Sequence, residues 1–145
     1  MPFEHYDAKV AQSLAASHEG AGGLAGFLGM RAAHSGPGEL DVEIEVRPDL
    51  LTPFGNMHGG VIAALCDHVL GTVCYPVMPR GSWAATTEFK LNYLAPVTAG
   101  RVRAEARIES LTKRTAVVRI RVMNGERLVG LAQGTVLVMP PKSAA

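Results

Sequence analysis

Cysteine is scarce in this chain of 145 residues, and surplus charge is nearly absent. Only Cys66 and Cys74 occur, and in one helix eight residues set them about 12 Å apart along the axis. That excludes a bridge between them and fits a reducing cytoplasm. The formal net charge is +1, so no global field selects nucleic acid or an acidic membrane. No segment reaches the roughly 18 consecutive apolar residues of a membrane span. The start, Met1-Pro2-Phe3-Glu4-His5, lacks a signal peptide's charged region. There is no Gly-x-Ser-x-Gly elbow, which argues against a serine triad, and the five histidines lack close metal-ligand spacing. The chain is expected to be soluble and cytoplasmic, with no metal and no partner among nucleic acids or membranes.

What is present fits one domain over residues 1–145, with 48% hydrophobic residues to build a single core. Tyr6, Val10 and Leu14 predict a short amphipathic helix over 4–18, and Gly20-Ala21-Gly22-Gly23 closes it, so residues 1–22 read as a helix and connector. A strand is predicted from Phe27 to His34, with a turn at Ser35-Gly36-Pro37-Gly38. Leu40, Val42, Ile44 and Val46 then alternate with Asp41, Glu43, Glu45 and Arg47, the mark of a half-buried strand with one wet face. A loop from Pro48 to Met57 leads to a long helix, about Gly59 to Cys74, stopped by Pro76 and Pro79. Strands follow at Thr86–Leu94, Arg101–Leu111, Ala116–Val122 and Arg127–Met139, with a hairpin signal at Asn124-Gly125 and a disordered tail over 140–145. Short turns between consecutive strands imply an antiparallel sheet covered by the helix. The fold class is α+β.

Asp67 is the residue that needs explaining. It sits in the apolar run His58-Gly59-Gly60-Val61-Ile62-Ala63-Ala64-Leu65-Cys66-Asp67, where an acid must be solvated, paired or put to use. Val61, Ile62, Leu65, Val69, Leu70 and Val73 spread widely round the helix, which predicts burial on most sides and disfavours a plain surface charge. Capping a local backbone or pairing with an Arg stays open. At the helix start, the amides of Gly59 and Gly60 have no internal acceptor and are ready donors for an oxyanion. A carboxylate and an oxyanion-hole candidate in one segment suggest acyl chemistry. Eight residues of helix separate Gly59 from Asp67, about 12 Å of rise. A single carbonyl cannot reach both, so a functional Asp67 implies two antiparallel copies of the helix across a dimer.

Other signals carry less. Gly20-Ala21-Gly22-Gly23-Leu24-Ala25 mimics a dinucleotide fingerprint but follows a helix, which makes it a flexible connector. His58 is expected to order the loop or cap the helix, and Cys66 to pack in the core, since nothing cationic lowers its pKa. Lys113-Arg114 reads as a solvated turn, or as a grip on a ligand phosphate.

Gly55-Asn56-Met57-His58-Gly59-Gly60, then Asp67, then Asn92-Tyr93-Leu94-Ala95-Pro96 together resemble the PaaI-like acyl-CoA thioesterases of the hotdog-fold superfamily, from about Leu50 to Val138. The resemblance implies a sheet of about six strands wrapped round the long helix, and subunits paired edge to edge, often as tetramers. It implies that Asp67 acts as nucleophile or general base, and that Gly59, with Gly60 beside it, donates an amide to the thioester carbonyl from the facing subunit. Thr86 aligns with a hydroxyl residue that positions the attacking water. Simple strand parity groups Thr86 with Glu88, Lys90 and Asn92, away from Phe89 and Leu91. The family often has Asn six residues before the histidine; here that position is Thr52, a departure that bears on rate or substrate choice.

The expected activity is hydrolysis of an acyl-coenzyme A, with coenzyme A as part of the substrate and no separate cofactor. Lys113 and Arg114 are the candidate contacts to its phosphates. Two rivals are a hotdog hydratase or dehydratase using His58, and a non-catalytic acyl-CoA-binding module. Short aliphatic, aromatic and longer acyl groups are all compatible with Phe54, Phe89 and the apolar helix.

Overall fold

Alternating burial builds the sheet. In the computed structural model, which describes residues 3–18 and 22–143, strands β4 (Arg101–Leu111) and β6 (Arg127–Met139) span the stretches expected from the sequence. β4 turns Val102, Ala104, Ala106 and Ile108 inward, and β5 (Thr115–Asn124) does the same with Ala116, Val118, Ile120 and Val122. Gly125, at φ 62°, makes the turn between β5 and β6 that Asn124-Gly125 foretells. With β1 (Arg31–Gly36), β2 (Glu39–Glu45) and β3 (Trp83–Tyr93), they form one antiparallel six-stranded sheet in the order β1-β2-β4-β5-β6-β3. The sheet holds the long helix α3 (Gly59–Thr72), whose Ile62, Leu65, Cys66, Val69 and Leu70 are buried against it. This is the α+β hotdog arrangement.

The outer face of the sheet is laced with ion pairs, among them Arg101 with Glu43 and Glu45, and Arg119 with Glu109. Exposed pairs of this kind contribute little singly, about 0–1 kcal/mol. Asp41, expected on the wet face, is only 8% exposed because Arg107 lies over it with Nη1 at 2.6 Å from its carboxylate.

Several boundaries move from the expected ones, each for a local reason. Helix α1 (Ala8–His18) begins after Asp7, whose Oδ1 accepts the amides of Lys9 and Val10 and so fixes the start later than residue 4. Part of the glycine-rich connector, with Phe27, forms a short helix, α2 (Gly23–Leu28), closed by Gly29 in the left-handed region at φ 69°; β1 therefore starts at Arg31. Gly20 and Ala21 of that connector, and the last two residues of the expected tail, lie outside the described residues. α3 ends at Thr72, followed by a 3-10 turn over Tyr75–Val77. β3 starts at Trp83, earlier than expected, and β5 reaches from Thr115 to Asn124. Taken with its turn, Gly59–Val77 does reach the length and mean hydropathy (1.5) of a membrane span, but half of that window is buried in the fold. Its apolarity is that of a core helix.

A β-bulge decides which way Thr86 points. Thr86 pairs with Val136, yet Glu88 pairs with Thr135, so Thr87 is the extra residue and the side-to-side alternation slips by one. Residues directly opposite share a face, so Thr86 lies with Phe89, Leu91 and Tyr93 on the helix side, contrary to simple parity. Gly134 makes room for this kink. A Cβ there would fall 2.6 Å from Phe89 Cβ, 2.7 Å from the Glu88 carbonyl oxygen and 2.9 Å from Leu70 of α3. Gly134→Ala is therefore expected to lower stability by about 1–3 kcal/mol in urea unfolding, as overpacking does; an unchanged midpoint would contradict the bulge as the tight point.

Candidate active site

The loop before α3 is tied down from both sides. Thr52 and Asn56 close a small turn, with Thr52 N–H donating to the Asn56 carbonyl (2.7 Å) and the Thr52 hydroxyl to Asn56 Oδ1 (2.9 Å). Gly55 supplies the turn at φ 85°. Met57 N–H then donates to Val97 O and His58 N–H to Leu50 O, which sets the entry to the helix. Thr52 thus uses its hydroxyl locally, on the asparagine four residues later.

His58 is the N-cap of α3. Its Nδ1 accepts the Gly60 amide at 2.8 Å, and its carbonyl accepts Val61 N–H at 2.9 Å. Because Nδ1 is the acceptor, the neutral ring carries its proton on Nε2. The Gly60 amide is thereby spent, while the Gly59 amide has no acceptor within the chain among the described residues. Beside it runs a groove of about 350 Å³, bordered by Asn56, Met57, Gly59, Ile62, Tyr93 and Val97.

Asp67 lies two turns further along α3 and is exposed in the single chain, which corrects the expectation of burial on most sides. The buried residues occupy one side of the helix. Gly60 and Asp67, seven residues apart, lie along the other, and both are exposed. Asp67 makes no hydrogen bond or ion pair among the described residues, so neither capping nor an Arg partner accounts for it. β3 runs antiparallel to α3: Tyr93 packs against Gly59, and a Cβ at Gly71 would meet Ala84 at 3.8 Å. Thr86, two residues from Ala84 on the same face, therefore lies toward the Asp67 end of the helix and away from Gly59.

Cys66 is fully buried, and burial first and the Asp67 charge second push its thiol up to about 12. Burial alone does the same to Cys74. Neither is a poised nucleophile. The exposed turn residues Lys113 and Arg114 stand at the β4–β5 hairpin, remote from the start of α3 in the chain's topology. Lys113 also borders a cleft of about 860 Å³ with Phe3, His5, Val77, Arg80 and Leu111; Arg114 does not line it.

Sequence reasoning missed two contacts. Tyr93 O–H donates to the Gly59 carbonyl at 2.8 Å. His18 of α1 and His68 of α3 meet edge to face, Nε2 to Nε2 at 2.6 Å. His18 Nδ1 lies 2.6 Å from the Leu14 carbonyl, which only accepts, so His18 Nε2 is the acceptor and His68 the donor. Fifty residues separate the two rings, and no local signal links them. Burial, then His18, lower the His68 pKa, partly offset by Asp67. The unfolded chain therefore binds this proton first. The linked stability is present above the ordinary value of 6.5 and declines as pH falls through the window below it. Denaturation midpoints at pH 7.5 and 5.5 are expected to fall with acidity, and His68→Gln to flatten that fall; an identical slope in the variant would contradict it.

Comparison with known proteins matches residues 54–131 to the thioesterase superfamily. The chain is 28% identical over 117 residues to a 1,4-dihydroxy-2-naphthoyl-CoA hydrolase of Listeria monocytogenes, covering 80% of this chain and 95% of that one. It superposes on a mutant of the phenylacetic acid degradation protein PaaI from Thermus thermophilus with TM-score 0.71 and 36% identity, over 77% of this chain and 95% of that one. A mutant thioesterase of Pseudomonas aeruginosa gives TM-score 0.81 at 26% identity, over 90% and 94%.

Proposed function

The chain belongs to the thioesterase superfamily and is a hydrolase of thioester bonds, and from that premise we propose that it cleaves an acyl-coenzyme A at a site shared by two subunits. One observation carries the proposal. Among the described residues, Asp67 stands exposed and unpaired on the open side of α3, and the Gly59 amide has no acceptor, about 12 Å of helix rise away. Two copies of α3, antiparallel, would set the Asp67 of one subunit against the Gly59 of the other. The small residues Gly60 and Ala64 along that side of the helix leave room for close approach. The free edge of β3, eleven residues long at the end of the sheet, offers the backbone pairing such a dimer needs. The naming of the Listeria relative as an acyl-CoA hydrolase supports coenzyme A as the thiol.

In this reading the thioester oxygen takes the Gly59 N–H. A donor aimed at the developing oxyanion contributes roughly 3–4 kcal/mol to the transition state. Gly60 has no second donor to offer, because His58 holds it. Asp67 removes a proton from water, the hydroxide adds to the carbonyl carbon, and the C–S bond breaks as the thiolate takes that proton back from Asp67, releasing the thiol and the acid. Alternatively the carboxylate itself adds, expels the thiolate, and water then opens the anhydride. Thr86, on the helix side of β3 toward Asp67, is suited to hold the water. Thr52 acts at one remove, by shaping the loop with Asn56. Lys113 and Arg114 are the proposed contacts to coenzyme A phosphates. His58 Nδ1 is already engaged by the Gly60 amide, so only its outward Nε2 could serve the hydratase alternative.

Thiol release over a panel of acyl-CoAs tests this. Asp67→Asn is expected to cut turnover at least about a hundredfold, in the range for a lost catalytic base, while leaving a folded dimer. Turnover retained in that dimer would refute the role of Asp67, and tight binding without release by the unaltered protein would favour a binding module.

A further inference from the structure

We propose that Tyr93 is a positioning residue that fixes the Gly59 amide for the thioester oxygen by clamping the first peptide of α3. The proposal rests on the thioesterase reading. Two edges of one peptide plane are held by side chains. Tyr93 O–H donates to the Gly59 carbonyl at 2.8 Å, and the N–H of that same peptide, on Gly60, donates to His58 Nδ1 at 2.8 Å. The result is a continuous chain from the Tyr93 hydroxyl through the Gly59–Gly60 peptide to the imidazole. Each bond polarises the next, so the pair is stiffer than either alone. The preceding peptide, which carries the Gly59 N–H, is anchored by its own carbonyl, since His58 O accepts from Val61 N–H. Because a peptide is planar, fixing these two planes fixes where the Gly59 N–H points.

The ring contributes as well as the hydroxyl. A Cβ at Gly59 would lie 3.1 Å from Tyr93 Cζ and 3.2 Å from its Cε1 and hydroxyl oxygen, so the ring rests on the glycine backbone. Glycine at 59 is thus set by a close approach. Burial first, and Cys66 second, raise the Tyr93 pKa, which keeps the phenol protonated as a donor across the working range. Tyr93 also borders the groove beside Gly59, although more than half of the residue is exposed (55%) in the single chain.

Tyr93→Phe removes the hydroxyl and keeps the ring, so the chain should still fold. The expected result is a kcat lowered about tenfold, as for a modest misplacement of a catalytic donor, with KM and dimer formation unchanged and faster hydrogen exchange at the Gly60 amide. Wild-type kcat in Tyr93→Phe would overturn the proposal. So would a raised KM with kcat retained, which would make Tyr93 a substrate contact. Failure of the unaltered protein to release thiol from any acyl-CoA would defeat the functional reading and, with it, the catalytic part of this proposal. Gly60 exchange would then judge the clamp by itself, and an unchanged rate in Tyr93→Phe would overturn that too.

Discussion

An α-helix advances about 1.5 Å per residue, and eight residues lie between Gly59 and Asp67. That fixed rise governs how the molecule can act. The sheet buries one side of α3 through Ile62, Leu65, Cys66, Val69 and Leu70 and leaves the other side, with Asp67, uncovered. The helix is held as a rigid ruler with a hydrogen-bond donor at one mark and a carboxylate at another. Neither group is satisfied within the chain among the described residues, and the ruler cannot bend to bring them together.

The surrounding contacts serve to hold that ruler still. At its start, His58 caps the helix and donates its N–H to the Leu50 carbonyl, and Met57 at the end of the loop donates to Val97. Further along, α1 is joined to it by the His18–His68 bond. On the sheet side, Gly134 leaves room for both the β3 backbone at Glu88 and Leu70 of α3, and the bulge of β3 returns Thr86 to the helix face. Core packing supplies most of the stability, at about 1.5–3 kcal/mol for each fully buried aliphatic side chain. The polar contacts decide orientation, which is what the proposed site of backbone amide and carboxylate requires.

Much of this was written in local pattern. Alternation marked β4 to the residue, and Asn124-Gly125 marked the hairpin that opens β6, because a strand with one buried face has a period of two and a tight turn needs a left-handed residue. The helix, its glycine start and Asp67 were legible for similar reasons. What escaped the sequence depends on partners far away in the chain. Thr87 carries no mark of being a bulge residue; the only hint is the small Gly134 on the neighbouring strand. α2 is six residues long and carries two glycines, too short to hold as a helix by itself, so its helicity follows from its surroundings. Asp67 was misjudged as buried because apolar residues spread round the helix, whereas packing on one sheet left its own side open. Tyr93 reads as the end of a strand, and its bond to Gly59 follows only from the antiparallel run of β3 along α3.

The proposed division of one site between two subunits is tested most directly by a forced heterodimer. Asp67→Asn on one chain and Gly59→Pro on the other, co-expressed with different tags and purified through both, leave one site intact only if the carboxylate and the amide come from opposite chains. Proline is tolerated at the first helical position and removes that N–H; its ring also presses on the Tyr93 of its own chain, which serves the same amide, so the damage stays in the site that Gly59 supplies. The account predicts that the heterodimer regains about half of the unaltered dimer's thiol release, one site of two, while each variant homodimer is nearly inactive. A heterodimer no more active than those homodimers would contradict it.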